Sequence, residues 1–443
     1  TLAWTGARRL VVLAIGLLAG VIGAITAMQV SAFMGDVAFI RFAQPPGIEF
    51  YHTHYCMTAY AHAAELVRAG VADVYDLALR PPGAVAADVP TAAFMAPFQL
   101  DRYGYPPQFL LVPLALSAVI PDFAAQRAVW FGFNGLLFAF ALWRVSVWVG
   151  PRGGRFAVLG LPIMWYASLP TFQSGNVHLA VMAIAMLGMC AFADRRERLG
   201  GALLAIATLA KIGPGLLGVV LLVQRRWRAA GWTVAWAVGL SGLALMVIGW
   251  GTFDAFVHTH LPAIASGAAY DFLGADLLSI VTNWSPFSLP FKLEALGVEL
   301  EPWRWGPRVG TVFTALAFVL AMFGGRRIVD RRSAAVVGLA VLTLASMRSP
   351  MAPPYVTTSA FWALLFVVAE PTGAGRWLGL AGMAMLLGLP MWVIALGGSE
   401  GFGPAVILGA LVAIGLLVVL MAWLLIRRWR PLDAETAADP AVE

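Results

Sequence analysis

Long apolar runs alternate with short polar segments along most of the 443-residue chain. A helix needs about 20 apolar residues to cross the ~30 Å hydrocarbon core of a bilayer. Runs of about this length are predicted to span the membrane at residues 10–33, 127–149, 156–170, 176–194, 230–250, 307–324, 333–347, 353–369, 377–397 and 404–426. The pattern therefore predicts an all-α polytopic membrane protein, a bundle of about 10–12 transmembrane helices.

Two apolar segments do not fit as simple spans. Residues 105–121 are short and bounded by prolines, and residues 201–223 have arginine clusters on both sides. If both clusters stay on one face of the membrane, the second segment must leave that face and return to it. Such backbone is tolerated at membrane depth only when it is buried in protein or lines a wet cavity. We therefore expect both segments to be broken or re-entrant.

Arginine clusters between the apolar runs predict the orientation of the chain. They fall at residues 8–9, 152–155, 195–198, 225–228, 326–332 and 427–430. The positive-inside rule places them in the cytoplasm together with both termini. Two long segments then face the outside, residues 34–104 (the first loop) and residues 251–305 (the second loop), and loops of this length are usually functional. The expected location is the bacterial inner membrane, with a multi-pass chain and an active site facing the periplasm or exterior.

Three shorter features complete this organisation. Residues 10–33 form a run too long for a cleavable signal peptide and are predicted to be a signal anchor. Thr58–Arg68 of the first loop has the pattern of a short amphipathic helix. Residues 431–443 are polar and are predicted to be a disordered cytoplasmic tail.

Composition narrows the class of protein. The chain is 60% hydrophobic and 12% charged, whereas soluble proteins average about 25% charged residues, so a soluble protein is excluded. The net charge of +6 does not predict a nucleic-acid partner, because the arginines cluster where the topology puts them. Cys56 and Cys190 fall in very different segments, so no disulfide framework is predicted.

Lys211 is one of only two lysines, and it lies inside the otherwise uncharged run 201–223. A cation at membrane depth costs roughly 2.5–3.5 kcal/mol on translocon scales, and such residues are usually functional. Gly213-Pro214-Gly215 follows, and proline ends a helix because it has no N–H to donate. We expect the helix to break just after Lys211 and to form a turn that lines a cavity.

Candidate catalytic carboxylates are Asp36 and Glu49 in the first loop. Asp36 follows the first span directly, and Glu49 lies in the aromatic-rich stretch PPGIEFYHTHY. A carboxylate at a membrane boundary flanked by aromatic rings tends to have a raised pKa and can act as a general base. The alternative for each is a solvated loop acid or a helix cap.

Lys211, Arg348 and Arg102 are candidate ligands for an anionic substrate. None of them belongs to a predicted cytoplasmic arginine cluster. Arginine offers a planar fork that matches phosphate, and lysine offers a compact charge, so together they could bind a phosphate or diphosphate. The alternative for Lys211 and Arg348 is an intramembrane ion pair with Asp36 or Glu49.

Uncharged polar residues supply further candidate substrate contacts. His52 and His54 could donate hydrogen bonds to substrate or simply pack at the interface, and their spacing fits neither common zinc pattern. No metal site is predicted. Gln173 and Asn176 lie in the polar turn FQSGN, where side-chain amides could bind sugar hydroxyls or phosphate oxygens. That segment could equally be a plain turn.

The order of these elements resembles glycosyltransferase family 87, membrane mannosyltransferases of the C-type superfamily. The elements that carry the resemblance are AHAAELVRAGVADVYD (61–76), YGYPP (103–107), FQSGN (172–176) and GGALLAIATLAKIGPGLL…QRRWR (200–228). They cover roughly the first 230 residues, and the second half is similar only in hydropathy. The predicted domain division is a glycosyltransferase-like membrane module over 1–230 and further transmembrane helices over 231–430.

The resemblance implies a polyprenyl-phosphate-linked sugar donor, transfer on the outer face, a carboxylate base in the first loop, and no cofactor. The sequence also departs from the family. The family commonly has an aspartate shortly before the Ala-rich helix, but HYCMTAY (54–60) contains no acid. Its paired histidines after a Ser-Pro segment are missing after Ser349-Pro350. The base role is therefore carried over to Asp36 or Glu49.

These observations predict an integral-membrane glycosyltransferase that moves mannose or a similar hexose or pentose from polyprenyl phosphate to a lipid or glycan acceptor. Two other classes of protein would use the same charged residues differently. A transporter or flippase of a lipid-linked saccharide would use the same cations and broken helix, but the chain shows no internal repeat of the kind that transporters carry. A structural subunit of an envelope assembly would not require Lys211.

Overall fold

The computed structural model describes residues 6–39, 53, 55–79, 84–150, 168, 171–275, 277–368, 374–395 and 403–429. Its secondary structure is helical, and the described residues contain no strand, only an isolated bridge between Val85 and Gln99. The first nine α-helices are α1 Gly6–Gly35, α2 Met57–Arg68, α3 Leu111–Val119, α4 Phe123–Val149, α5 His178–Ala193, α6 Glu197–Ala210, α7 Leu216–Val223, α8 Trp227–Ile248 and α9 Trp250–Ala255. The remaining helices are α10 Leu261–Ser266, α11 Leu277–Thr282, α12 Leu289–Ala295, α13 Pro302–Arg327, α14 Arg331–Met347, α15 Thr357–Val368, α16 Ala374–Ala395 and α17 Pro404–Ile426.

In the part of the chain that the structure describes, four helices are long and apolar enough to cross a bilayer, namely α4, α8, α13 and α17. Four shorter apolar segments, Pro107–Val119, His178–Ala193, Gly213–Val223 and Pro354–Val368, accompany them. The helix bounds agree with the sequence pattern: the predicted span 404–426 is α17, and 230–250 is α8 with a shift of two or three residues. The prediction of an all-α polytopic membrane protein is confirmed. The predicted span 156–170 lies almost wholly outside the described residues.

Side-chain caps fix where two of these helices start. The Asp122 carboxylate accepts a hydrogen bond from the backbone N–H of Ala125 at 2.6 Å, at the first turn of α4. Asp330 and Ser333 form a reciprocal capping box at the start of α14. Each cap satisfies N–H groups that a helix start leaves without partners, which matters most where the surroundings are apolar.

Helices α6 and α7 form a re-entrant hairpin. Arg226, just after α7, lies 3.8 Å from the carboxylate of Glu197, the first residue of α6, and also donates to the carbonyl of Phe192. The two ends of the segment therefore meet at one end of the bundle. Thr208 contacts the position of Gly215 near the opposite end, where the chain turns. The geometry agrees with the expectation that residues 201–223 leave and re-enter the same face.

The arginines of the clusters at 195–198, 225–228 and 326–327 lie at the end of the bundle where the hairpin begins. Arg144 of α4 pairs with Asp194 after α5, and Gly325 near the end of α13 packs against Val223 of α7. We call this the arginine end, and we call the opposite end, where both long loops lie, the loop end. The second doubtful segment is also short: a 3₁₀ turn over Pro107–Leu110 leads into the nine residues of α3 at the loop end.

The first loop folds compactly against the bundle. Helix α2 forms where the pattern of Thr58–Arg68 predicts one, and nine of its twelve residues are buried. Arg127 of α4 anchors this loop: its guanidinium lies 4.3–5.0 Å from the ring centroids of Phe33, Tyr55 and Phe98. Cation–π contacts of this kind strengthen when the cation is withdrawn from water. These contacts hold the first loop against α4, beside the candidate site.

Candidate active site

Lys211 lies at the tip of the re-entrant hairpin. Its backbone N–H makes the last bond of α6, to the carbonyl of Ala207, and its own backbone is extended, with φ −156° and ψ 119°. A 3₁₀ turn over Gly213–Gly215 follows and contains Pro214, which cannot donate to a helix. The predicted break after Lys211 is therefore present. The 14 residues of α6 rise about 21 Å, so the tip is about two thirds of the way through a ~30 Å core.

The surroundings of the Lys211 amine are aromatic rather than acidic. Its Nζ lies 3.4 Å from the hydroxyl of Tyr355, 4.8 Å from the centroid of that ring, and 5.8 Å from the ring of Tyr105. Among the described residues, no carboxylate forms an ion pair with Lys211. An ammonium group has three donors, and among the described residues the long contact to Tyr355 is the one hydrogen bond that it makes. The side chain is suited to bind an anion from the loop end.

A network of hydroxyls and amides holds the aromatic rings in place. The hydroxyls of Tyr60 and Tyr105 are 2.9 Å apart, and the Asn176 amide donates to Tyr105 at 3.3 Å and to the Cys56 sulfur at 3.4 Å. The backbone N–H of Val177 donates to the Tyr60 hydroxyl at 3.1 Å. These contacts join α2, the YGYPP segment and the FQSGN turn. Asn176, predicted to contact substrate, is therefore a structural member of the site wall.

Gln173 and His178 retain unused hydrogen-bonding groups beside this network. Gln173 is fully buried, and neither atom of its amide has a hydrogen-bond partner among the described residues. Both ring nitrogens of His178 also lack partners, and the imidazole packs 4.6 Å from the ring of Tyr355. Buried polar groups are normally hydrogen-bonded, so each such group calls for an explanation. His178 was not among the predicted site residues, because a histidine at the start of an apolar run carries no motif.

Asp101 is a second residue that the sequence prediction missed. Its backbone N–H donates to the Thr58 hydroxyl at 2.9 Å, and its carboxylate accepts from the N–H of Arg102 at 2.8 Å. The carboxylate also accepts a hydrogen bond from the thiol of Cys56, whose own pKa burial raises. In the sequence, Asp101 is marked by its position directly before Arg102 and Tyr103. This position is a weak indication of a role in the site, because it does not show which distant residues contact the carboxylate.

Four other predicted site residues belong to the first loop, namely Asp36, Glu49, His52 and His54. Asp36 is exposed just after α1, and its carboxylate accepts from the backbone N–H of Ala38 at 2.9 Å, the contact of a short turn. Glu49, His52 and His54 lie outside the described residues. Their predicted roles stay predictions.

The two candidate arginines are each engaged with protein groups. Arg102 forms a bidentate ion pair with Asp271, in which Nη1 and Nη2 donate to the two carboxylate oxygens at 2.7 and 3.2 Å. This pair links the first loop to the second. Arg348 is half-buried at the end of α14, and its Nε donates to the Thr314 hydroxyl at 3.2 Å. The same end of α14 packs on the hairpin tip, with the carbonyl oxygen of Ala345 3.4 Å from the Cβ position of Gly213. Arg348 therefore follows the helix end that packs against the hairpin tip.

The sequence profile of glycosyltransferase family 87 matches residues 103–350, which is more than half of the chain. The chain belongs to glycosyltransferase family 87. No curated protein and no solved structure matches the chain. Membership of the family makes the protein a membrane glycosyltransferase.

The family 87 match also corrects the extent of the resemblance. The match begins at Tyr103 and ends at Pro350, so it reaches far into the second half of the chain instead of ending near residue 230. It contains YGYPP, FQSGN and the hairpin, whereas the Ala-rich element 61–76 precedes it. Within the matched range, α13 and α14 pack against the hairpin.

Proposed function

We propose that this family 87 protein transfers a hexose or pentose, such as mannose, from polyprenyl phosphate to a lipid or glycan acceptor on the outer face of a bacterial inner membrane. The observation that carries the proposal is Lys211, a half-buried amine at the re-entrant tip with no acidic partner among the described residues. A polyprenyl phosphate can keep its lipid chain in the bilayer while its anionic headgroup reaches this depth.

The phosphate is held by Lys211, with His178, Gln173 and Arg348 as further donors. As the bond from sugar to phosphate breaks, negative charge grows on the leaving phosphate, and a fixed cation stabilises that charge more than it stabilises the bound donor. No nucleotide site is required by this chemistry. Asn176 and Arg102 support the binding surface, and His52 and His54 remain proposed substrate contacts.

The orientation follows from the arginine end. Arginines at residues 195–198, 225–228 and 326–327 lie at the end of the bundle opposite to Lys211, and the positive-inside rule assigns that end to the cytoplasm. The donor then enters from the outer leaflet, and the acceptor enters from the loop end. The catalytic base is proposed to be a carboxylate of the loop end; Asp36 and Glu49 are the sequence-based candidates.

The test compares Lys211→Met and Lys211→Arg in transfer from radiolabelled polyprenyl-phosphate-mannose by protein reconstituted in nanodiscs. Methionine keeps the side-chain volume and removes the charge, so we expect kcat/KM to fall about 10²–10³-fold, the usual effect of losing one charge-stabilising donor. Arginine restores part of the activity. Arg308→Met, which removes an exposed cation at the start of α13, is the matched control. Full activity of Lys211→Met would contradict the proposal.

A lipid-flipping assay on the same vesicles separates transfer from transport. Wild-type protein should transfer sugar without moving a fluorescent polyprenyl phosphate lipid between leaflets. Movement of lipid with no sugar transfer would favour a flippase instead.

A further inference from the structure

A carboxylate lies beside the Lys211 network that the two sequence-based candidates do not include. We propose that Asp101 is the general base that deprotonates the acceptor hydroxyl; this inference rests on the proposed function. Contacts on three sides of the site support this assignment of the base.

The first observation is the backbone position of Asp101. Its N–H donates to the Thr58 hydroxyl at 2.9 Å, and that hydroxyl lies 3.0 Å from the carbonyl of Gln99 and 2.8 Å from the carbonyl of Tyr55. The next residue, Cys56, donates its backbone N–H to the carbonyl of Ser174 at 2.7 Å. Asp101 is therefore fixed between the start of α2 and the FQSGN turn.

The second observation is the orientation of its carboxylate. One oxygen accepts the backbone N–H of Arg102 at 2.8 Å, and the thiol of buried Cys56 donates a further hydrogen bond to the carboxylate. Cys56 stands in the stretch before α2, where the sequence has no acid between Glu49 and Glu65. The contact with Asp101 brings a carboxylate to that place from a different part of the first loop.

The third observation connects Asp101 to Lys211. Cys56, the neighbour of the Asp101 carboxylate, accepts a hydrogen bond from the Asn176 amide at 3.4 Å, and the same amide donates to the Tyr105 hydroxyl at 3.3 Å. The ring of Tyr105 lies 5.8 Å from the Lys211 amine, which also contacts the Tyr355 hydroxyl at 3.4 Å. Asp101 and Lys211 therefore contact one connected group of side chains, as a base and a leaving-group stabiliser acting on one substrate would.

Asp36 differs from Asp101 in its exposure and in its neighbours. It is exposed, and the hydrogen bond that its carboxylate accepts comes from Ala38 in its own turn. Among the contacts of the described residues, none joins it to the network around Lys211. Asp101 is half-buried, which leaves it both fixed and reachable by water.

The proposed step balances with the groups already named. The acceptor hydroxyl gives its proton to a carboxylate oxygen of Asp101 while its oxygen forms a bond to the anomeric carbon. The bond between that carbon and the phosphate oxygen breaks, and its electron pair stays on the phosphate. Polyprenyl phosphate leaves with one more negative charge, facing Lys211, and the proton on Asp101 passes to solvent.

The experiment measures transfer by Asp101→Asn, Asp36→Asn and Asp88→Asn in nanodiscs with the same polyprenyl-phosphate-mannose donor. Asp88 is an exposed acid of the same loop and is the matched control. We expect Asp101→Asn to lower kcat about 10²–10⁴-fold, the range for a lost general base, with the donor KM within about threefold. Asp88→Asn should keep kcat within about threefold. A loss of kcat in Asp36→Asn with none in Asp101→Asn would overturn the assignment.

Two further measurements keep the inference testable if Asp101→Asn folds poorly. Asp101→Gly should regain transfer in the presence of added formate, which can occupy the missing carboxylate position, whereas Asp88→Gly should not respond. Thermal unfolding of each variant, read from tryptophan fluorescence, reports folding separately. Loss of stability in Asp101→Asn together with no formate rescue of Asp101→Gly would overturn the base role and leave a structural one.

The role of Cys56 as a positioning residue is tested by two replacements. Cys56→Ser keeps a donor to the carboxylate and should retain most of the activity, while Cys56→Ala should lower kcat and leave the donor KM unchanged. Equal kcat values for the two variants would contradict the positioning role.

The outcomes separate this inference from the function on which it rests. If wild-type protein transfers sugar and Asp101→Asn does so equally well, the base assignment alone fails. If wild-type protein shows no transfer from a polyprenyl-phosphate donor, the proposed function fails and takes this assignment with it.

Discussion

Lys292, the second lysine of the chain, provides a quantitative test of how the second loop holds the site. Its amine is fully buried and donates to the carbonyls of Ile280 at 2.5 Å and Asn283 at 2.8 Å, and to the Ser288 hydroxyl at 2.7 Å. No carboxylate partner accompanies it among the described residues. The amine therefore acts as a three-way hydrogen-bond donor that closes the loop around Asn283.

Asn283 in turn holds the segment that carries Arg348. Its amide donates to the carbonyl of Pro350 at 2.8 Å, and its side-chain oxygen accepts from the N–H of Ala352 at 3.0 Å. The N–H of Trp284 donates to the carbonyl of Ala352 at 2.8 Å. A disturbance at Lys292 is thus expected to loosen residues 347–352.

We predict that Lys292→Met destabilises this loop by about 3 kcal/mol below pH 7, where the amine is protonated and has three N–H donors. The change leaves two buried carbonyls short of a donor, at roughly 1–3 kcal/mol each, and relief of the buried charge offsets part of that loss. A 3 kcal/mol effect corresponds to about a 100-fold rise in local opening, since 1.4 kcal/mol is tenfold. Glu294→Gln, at an exposed neighbouring position, is the control.

Hydrogen exchange read by mass spectrometry on peptides covering 280–292 and 345–356 measures this opening directly. The amides of Trp284 and Ala352 should lose protection in Lys292→Met and keep it in the control. Equal or greater protection in Lys292→Met would refute the reasoning. It would mean that burying the charged amine destabilises the loop at least as much as its three hydrogen bonds stabilise it.

The pH dependence of stability gives a second readout of the same group. Burial lowers the pKa of Lys292 to about 7, from 10.5 for the free side chain. Between these two values the unfolded chain binds a proton that the folded chain does not, so the free energy of unfolding rises with pH across the window from about 7 to 10.5. Below that window the contribution is flat, and Lys292→Met should lack the rise.

Three further predictions concern packing and reactivity. Arg127→Ala should lower stability by about 2–4 kcal/mol in thermal unfolding, through lost packing against three aromatic rings, while Arg127→Met should lose less than half of that; equal losses would assign the effect to charge. Burial raises the pKa of the Cys56 thiol, so its alkylation by iodoacetamide at pH 8 should be negligible in folded protein and complete after denaturation; rapid labelling of folded protein would contradict this burial. Gly201→Ala places a methyl group 2.7 Å from the backbone of Trp232 and should destabilise the packing of α6 on α8 by about 1–3 kcal/mol. Gly218→Ala, with open space at its Cβ position, should be neutral or slightly stabilising. A neutral Gly201→Ala would show that α6 and α8 can move apart without loss of stability.

Local pattern was sufficient for much of the fold and for part of the site. The helical membrane class, the bounds of α8 and α17, and the break after Lys211 follow from hydropathy and from Gly213-Pro214-Gly215, because each depends only on residues near one another in the chain. The family resemblance was also visible in short elements, although its extent was not. The cost of an unpaired cation in an apolar run was enough to single out Lys211.

Contacts between distant segments were decided by the tertiary structure alone. Arg102 meets Asp271 across 169 residues, and Asp101 reaches Cys56 from a separate part of the first loop. Whether a polar side chain faces substrate, a partner or solvent depends on which backbone lies opposite to it, and hydropathy does not encode this. The sequence by itself determined that the chain crosses a membrane, that it breaks at Lys211, and that a charge is held there. Packing of the two loops and the hairpin decided which side chains surround that charge, because Tyr105 and Tyr355 come from segments far from Lys211 in the chain.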